Sequence, residues 1–226
     1  MNNNYKIIRQ SLLEWYPFGN TDEVILINKK DSSLDELIGR KAKLAVVDEY
    51  SYFVEALDDG KKYDVIIMYD LYDFCISNKQ SVRELIDNLL SIKKNNGKLL
   101  LALENKLGMK YFAGCQEEQR GGYYIGIEDY CKWDDAIQPL SKKELEDIIK
   151  EFNNVTYRFY YPYPDYKYPT MIYTDDCLPK EGELSRNTRN VDMDRYVMFD
   201  EARAFDSVIK AGLFPEFSNS YLVCIE

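Results

Sequence analysis

The chain has 226 residues, of which 46% are hydrophobic and 30% charged, and it carries a net charge of −10. That length suits one large domain able to bury a real core. The acidic balance excludes nucleic acid as the main partner, because binding a polyanion needs a basic surface.

No apolar run approaches the roughly 20 residues a membrane span needs. The first residues, Met1 to Tyr5, lack the basic-then-apolar pattern of a secretory signal, so a cytoplasmic location is the expectation. There is no histidine, which removes the commonest general base and metal ligand. The five cysteines are scattered without C-x-x-C spacing, so neither a metal site nor a disulfide framework is expected. Proton transfer then falls to Asp, Glu, Tyr, Lys or Cys.

In chain order, Tyr5 to Trp15 places Ile7, Ile8, Leu12 and Trp15 at helical spacing, and Pro17 and Gly19 end that helix. Glu23 to Asn28 reads as a buried parallel strand. A short helix capped by Ser32 or Ser33 runs to Gly39. Leu44 to Val47 is a second strand, closed by Asp48 and Glu49, and a helix covers Tyr50 to Leu57. Asp64 to Tyr69 is a third strand, closed by Asp70. Gln80 to Lys94 is an amphipathic helix stopped by Asn96-Gly97, and Lys98 to Leu103 is a fourth strand ending at Glu104. This alternation predicts an open, mostly parallel sheet with helices on both faces, whose ligands bind outside the carboxyl ends of the strands.

The second half has a different texture. Asn105 to Gln138 is long, aromatic and glycine-rich. Ser141 to Phe152 is a helix with a capping box from Ser141 to Glu144. Val155 to Tyr161 is a strand that runs into a Tyr/Pro-rich segment and resumes at Met171 to Tyr173. Lys180 to Asp194 is polar and loop-like. Asp200 to Ala211 is a helix and Ser220 to Ile225 a last strand. No internal repeat and no linker divides the chain, so residues 1–226 are expected to form a single domain, with 1–104 and 105–226 differing in texture.

Two segments carry a family resemblance. One is Glu104-Asn105-Lys106-Leu107-Gly108-Met109-Lys110-Tyr111-Phe112-Ala113-Gly114. The other is Tyr160-Tyr161-Pro162-Tyr163-Pro164-Asp165-Tyr166-Lys167-Tyr168-Pro169. Leu12 to Pro17 and Ser218 to Val223 match as well. Together they resemble class I S-adenosylmethionine-dependent methyltransferases, in the subgroup found in bacterial surface-glycan gene clusters beside or fused to glycosyltransferases. The resemblance implies a Rossmann-like methyltransferase fold, an α/β sheet that is mostly parallel with an antiparallel C-terminal strand. It also implies S-adenosylmethionine as cofactor and a glycan or sugar-nucleotide as acceptor.

The sequence departs from the family at the cofactor turn. Family members follow the first strand with a glycine-rich turn, where a Cβ would collide with the cofactor. Here the stretch is Asn28-Lys29-Lys30-Asp31-Ser32-Ser33, without glycine. Only 15 residues separate Asp48 from Asp64, room for one short helix rather than helix, strand and helix. The sheet is therefore expected to be reduced by one strand.

On these grounds the cofactor-side candidates are Asn28, Asp48, Glu49 and Asp70, with Asp48 or Glu49 bonding the ribose. The acceptor-side candidates are Asn105, Lys110, Tyr161, Tyr163, Asp165, Tyr166 and Lys167, with Tyr72 near the transferred methyl and Glu104 as general base. Each also has a structural reading: Glu104 and Lys110 can satisfy each other if buried, and the Tyr/Pro segment can serve as a rigid lid. The leading expectation is a methyltransferase-fold protein with a degenerate S-adenosylmethionine site that has lost ordinary cofactor binding and serves as a non-catalytic or accessory component of surface-glycan assembly, with a glycosyltransferase as a candidate partner. The alternatives are an active S-adenosylmethionine-dependent methyltransferase, or a nucleotide-sugar or glycan binding module using Lys29, Lys30 and the tyrosines. No metal is expected, and a truncated sheet edge points to a homodimer.

Overall fold

The structure is a computed structural model, and it describes residues 3–27, 32–132, 137–184 and 196–226. In chain order the elements are α1 (Asn3–Glu14), β1 (Glu23–Ile27), α2 (Ser32–Gly39), β2 (Lys43–Val47), α3 (Tyr50–Asp58), β3 (Tyr63–Tyr69), α4 (Leu71–Asn78), α5 (Val82–Ser91) and β4 (Lys93–Glu104). They continue with the short α6 (Met109–Phe112), α7 (Lys142–Lys150), β5 (Tyr157–Tyr163), β6 (Met171–Thr174), α8 (Glu201–Lys210), the short α9 (Phe214–Phe217) and β7 (Ser220–Ile225).

The strands form one seven-stranded sheet in the order β2-β1-β3-β4-β7-β5-β6. β1 to β4 are mutually parallel, and β7 lies antiparallel between β4 and β5. β3 and β4 are central, and Val65 to Met68 and Leu99 to Leu103 are almost wholly buried. Continuous Val/Ile/Leu runs of this kind belong to strands covered on both faces.

One face is covered by α3, α4, α5, α7 and α8, through Phe53, Tyr72, Leu85, Leu145 and Phe205 among others. The other is covered by α1 and α2, through Leu12, Leu13, Leu34, Leu37 and Ile38. The capping box of α7 is present, and α5 has a second one from Ser81 to Glu84. Each fixes a helix start by satisfying donors at both ends of the first turn.

Four details differ from the expectations. α1 buries Leu12 and Leu13 and leaves Ile7 exposed, and just past its end Tyr16 is buried and Trp15 exposed, so the inward face is rotated from the predicted one. Leu71 to Asn78, which the periodicity leaves unassigned, forms α4. Asn96-Gly97 does not stop a helix: α5 ends at Ser91, and Gly97 lies inside β4, where the register against β3 shifts. A Cβ at Gly97 would stand 2.8 Å from the Tyr63 carbonyl oxygen, so the irregular pairing there needs glycine. Finally, β6 does not resume β5 but turns back to pair antiparallel with it, Tyr161 opposite Tyr173.

The expected reduction falls beside β2. Between β2 and β3 lies only α3 with its turn, and β2 is the sheet edge. β6 adds a strand at the opposite edge, so the total remains seven. Among the described residues, no helix is long and apolar enough to cross a membrane.

Candidate functional site

β3, β4 and β5 end on the same side of the sheet, and β7 starts there. Three segments close over this end: the stretch from Glu104 to Tyr130, the segment Pro164 to Pro169, and Ser218 to Ser220. Asp70, directly after β3, takes a left-handed conformation, φ 57° and ψ 53°. Aspartate tolerates this region better than most residues, at a strain of about 1 kcal/mol. Its side chain does not cap α4. It accepts a hydrogen bond from the Tyr166 hydroxyl instead.

A buried network of ionised groups follows from that placement. The Tyr166 hydroxyl oxygen also lies 3.0 Å from Glu104 Oε1. Lys167 Nζ lies 3.1 Å from Glu104 Oε1 and 3.5 Å from Asp70 Oδ1, and it pairs closely with Glu118. Lys110 Nζ donates to Asp165 Oδ2 at 2.8 Å and to Glu118 Oε1 at 3.1 Å. Glu118 thus bridges the two lysines. The side chains of Glu104 and Lys110 are each 1% exposed.

Such depth shifts the protonation equilibria. Burial, reinforced by Glu118 and Asp70, outweighs Lys167 and Lys110 and pushes the Glu104 carboxyl up to about 7. Burial would raise Glu118 as well, but Lys110 and Lys167 hold it down to about 2. Burial opposes the charge on Lys167, yet Glu104, Glu118 and Asp70 raise its pKa and keep it cationic. Burial, with Glu104 and Asp70 next, keeps Tyr166 protonated and therefore a donor. Glu104 is the odd member: it titrates near neutrality, and its Oε2 is buried without a hydrogen-bond partner.

The start of β7 holds the two family-like segments together. Asn105 Nδ2 donates to the Glu216 and Ser218 carbonyls at 2.8 Å each, and the Asn105 amide donates to the Asn219 carbonyl at 3.1 Å. Asn219 Oδ1 accepts from the Lys110 amide at 2.8 Å, while its Nδ2 donates to the Pro164 carbonyl at 2.9 Å. The Tyr166 amide donates to Ser220 Oγ at 2.8 Å. Gly108 allows this approach, since a Cβ there would lie 2.9 Å from Asn219 Cα. Asn105 is therefore wholly engaged in positioning the loop.

The other predicted residues scatter. Tyr161 and Tyr163 point to the α3–α8 face, where their hydroxyls bond Asp175 and the Leu184 carbonyl. They do not join the network. Asp48 and Glu49 stand exposed after β2. Asn28, Lys29, Lys30 and Asp31 lie outside the described residues. Glu104 and Lys110 do not pair: Lys110 turns to Asp165 and Glu118, and Lys167 takes its place beside Glu104. The reason is geometric. Lys110 rises from α6, pinned by Asn219, whereas Lys167 follows Tyr166 directly onto the end of β4.

Sequence reasoning missed Glu118, Glu117 and Tyr130. All three sit in the glycine-rich aromatic stretch, where no periodicity marks an inward side. The only available signal was two adjacent glutamates in a segment otherwise rich in aromatic and small residues. Tyr72 lies close by, its hydroxyl accepting from the Leu140 amide at 2.9 Å.

No protein-family model matches the chain, and no curated protein matches it. Solved structures do. A SAM-dependent methyltransferase from Archaeoglobus fulgidus is 13% identical, with a TM-score of 0.52 over 98% of this chain and 93% of that one. A chain of the complex between the Haloferax volcanii Trm112 methyltransferase activator and its methyltransferase partner is 11% identical, with a TM-score of 0.50 over 99% of this chain and 90% of that one. The chain therefore has the Rossmann-like fold of S-adenosylmethionine-dependent methyltransferases, a mostly parallel sheet with antiparallel strands near its carboxyl end.

Proposed function

We propose that this chain is an S-adenosylmethionine-dependent methyltransferase that acts on a hydroxyl of a glycan or sugar-nucleotide. One observation carries the reading: Glu104 is a buried carboxyl at the end of β4, poised near neutrality, with one oxygen free of partners. A general base works best when its pKa lies near the working pH. A carboxylate that only stabilised the fold would have both oxygens satisfied and a low pKa, as Glu118 does.

Asp48 or Glu49, exposed carboxylates at a parallel strand's carboxyl end, would bond the cofactor ribose. When bound, S-adenosylmethionine would supply the methyl group from its sulfonium. This chain's own residues do the rest. Glu104 takes the hydroxyl proton on Oε2. Tyr166 and Lys167 hold Oε1 and fix the carboxyl plane. Asp70, turned by its left-handed backbone, holds Tyr166. The closed segments over the sheet end exclude water from the base.

Calorimetry with S-adenosylmethionine and S-adenosylhomocysteine tests the reading, with micromolar binding expected. Absence of binding would favour the second reading, an accessory protein on a methyltransferase fold. The edge position of β2 and the glycine-free turn after β1 support that alternative.

A further inference from the structure

Among the described residues β2 pairs with β1 alone, so its outer edge carries no strand. The Lys43 amide donates to the Asp22 carbonyl at 3.0 Å, so Lys43, Ala45 and Val47 turn their backbone groups towards β1. By alternation, the N–H and C=O of Leu44 and Val46 point out from the sheet edge. Edge strands are commonly guarded by charge, proline or a bulge. β2 pairs regularly with β1 over its whole length, lacks proline, and carries one charge, Lys43, at its first position. Its centre is apolar: Leu44 and Ala45 are half-buried, and Val46 is 36% exposed. Tyr52 and Val54 on α3, which packs beside β2, are exposed as well. On the α2 side, a cavity of about 480 Å³ is lined by Gly39, Ala42, Leu44 and Val46 among others. Apolar surface along an unpaired edge is a template for another strand.

The charges around the edge identify that strand. Lys41 and Lys43 stand at the start of β2, and Asp48 and Glu49 at its end. Reversed, this order is its own complement. An antiparallel second copy centred on Ala45 sets Lys41 opposite the partner's Glu49, with Lys43 diagonal to it. It also sets Leu44 opposite the partner's Val46, so that these outward-facing residues exchange both backbone hydrogen bonds. Ala45 then meets the partner's Ala45 as the close, non-hydrogen-bonded pair, where a small side chain suits the axis. The cations are weakly engaged at present. Lys41 meets Glu14 at 3.3 Å and Lys43 meets Glu23 at 3.4 Å, on partly exposed side chains, and such pairs are worth little. Asp48 and Glu49 make no side-chain hydrogen bond or ion pair among the described residues. In a chain of net charge −10, two copies repel one another unless local charges oppose in this way.

We propose that two copies of this chain dimerise by pairing β2 with β2, antiparallel about Ala45, so that the two sheets become one. This surface is distinct from the Glu104 network, and the inference stands apart from the methyltransferase reading.

Sedimentation equilibrium of the full chain over a wide concentration range tests it. A five-residue strand pair is marginal by itself, so a concentration-dependent rise from 26.6 kDa towards twice that mass is expected. Val46→Pro removes an outward N–H while sparing the bonds to β1, and should weaken association at least tenfold. Lys41→Glu and Glu49→Lys each set like charges opposite one another and should do the same. Mixed in equal amounts, these two variants should recover dimerisation, because opposite charges then meet at both ends of a heterodimer. Circular dichroism checks that each variant folds, and the charge variants decide the matter if Val46→Pro does not. A chain that stays monomeric throughout would overturn the proposal and leave β2 to a strand of another protein. A dimer unmoved by the folded variants, or one weakened by both charge variants and not restored by mixing them, would place the interface elsewhere and overturn it too.

Discussion

The two ends of the sheet differ in how they treat charge. Beside β2, Asp48 and Glu49 face solvent without a side-chain hydrogen bond or ion pair among the described residues, and half-exposed Tyr50 rests only its ring against Phe53 and Phe74. At the ends of β3, β4 and β5, Asp70, Glu104, Asp165 and Lys110 are buried, Glu118 and Lys167 are partly so, and the six are tied together by hydrogen bonds and ion pairs from three separate segments. Charges in water interact weakly and move freely, whereas the same charges in a poorly solvated interior are strongly coupled and fixed. The ends of β3, β4 and β5 are therefore preorganised by folding, whereas the charges beside β2 are left free to move.

The sharpest way to break this contrast is Lys110→Met. It leaves Asp165 and Glu118 buried with one cation fewer, and removing one partner of a buried ion pair costs about 3–5 kcal/mol. Urea unfolding of wild type and variant measures it. A loss under 1 kcal/mol would mean that water reaches the network and that the two ends are alike.

The next effect lies in pH dependence. The Glu104 carboxyl is raised from 4.5 to about 7 by burial. Between those values the folded chain keeps a proton that the unfolded chain has released, so stability falls as pH rises through the window. The change across the whole window is about 3 kcal/mol. Glu104→Gln should therefore gain stability relative to wild type between pH 5 and pH 7.5, by about 2 kcal/mol. Glu118, lowered to about 2, has the opposite sign: its contribution is complete above 4.5 and is lost as pH falls towards 2. Denaturation at several pH values separates the two, and an identical difference at pH 5 and pH 7.5 would place Glu104 in the ordinary carboxylate range.

Asn219→Ala comes third. It removes an acceptor from the Lys110 amide and a donor from the Pro164 carbonyl, both buried, at a cost of about 2 kcal/mol. Because Asn219 ties the two family-like segments together, the Glu104 titration should also move towards its ordinary value in this variant. NMR titration of the carboxyl would follow it. An unmoved titration would show that the segments hold their places without the clasp.

These sites were unevenly legible in the sequence. Apolar runs ending in a polar residue placed β1 to β4, and with them Asp48, Asp70 and Glu104. Ser141 and Glu144 announced α7 because a capping box needs only local chemistry. Partner choice was not legible. That Lys167 rather than Lys110 meets Glu104 depends on where the chain enters after Pro164 and on the grip of Asn219, contacts spanning more than 50 residues. Glu117, Glu118 and Tyr130 were hidden for a related reason: an irregular loop has no period, so only tertiary packing decides which side chains turn inward.

The smallest effect on stability, and the one that tests the open end, belongs to Asp48→Asn. Asp48 is exposed and makes no side-chain hydrogen bond or ion pair among the described residues, so its loss should change unfolding free energy by less than about 0.5 kcal/mol. If it serves the cofactor ribose, the same substitution removes a hydrogen bond to a charged acceptor, worth about 1.5–3 kcal/mol in a bound complex. Affinity for S-adenosylhomocysteine should then fall at least tenfold while the melting temperature of the free protein stays put. A charge at this end would thus matter to a ligand and not to the fold, the reverse of Lys110. Equal calorimetric affinity in wild type and variant would remove Asp48 from the cofactor site, leaving Glu49 as the carboxylate at the end of β2 to test next.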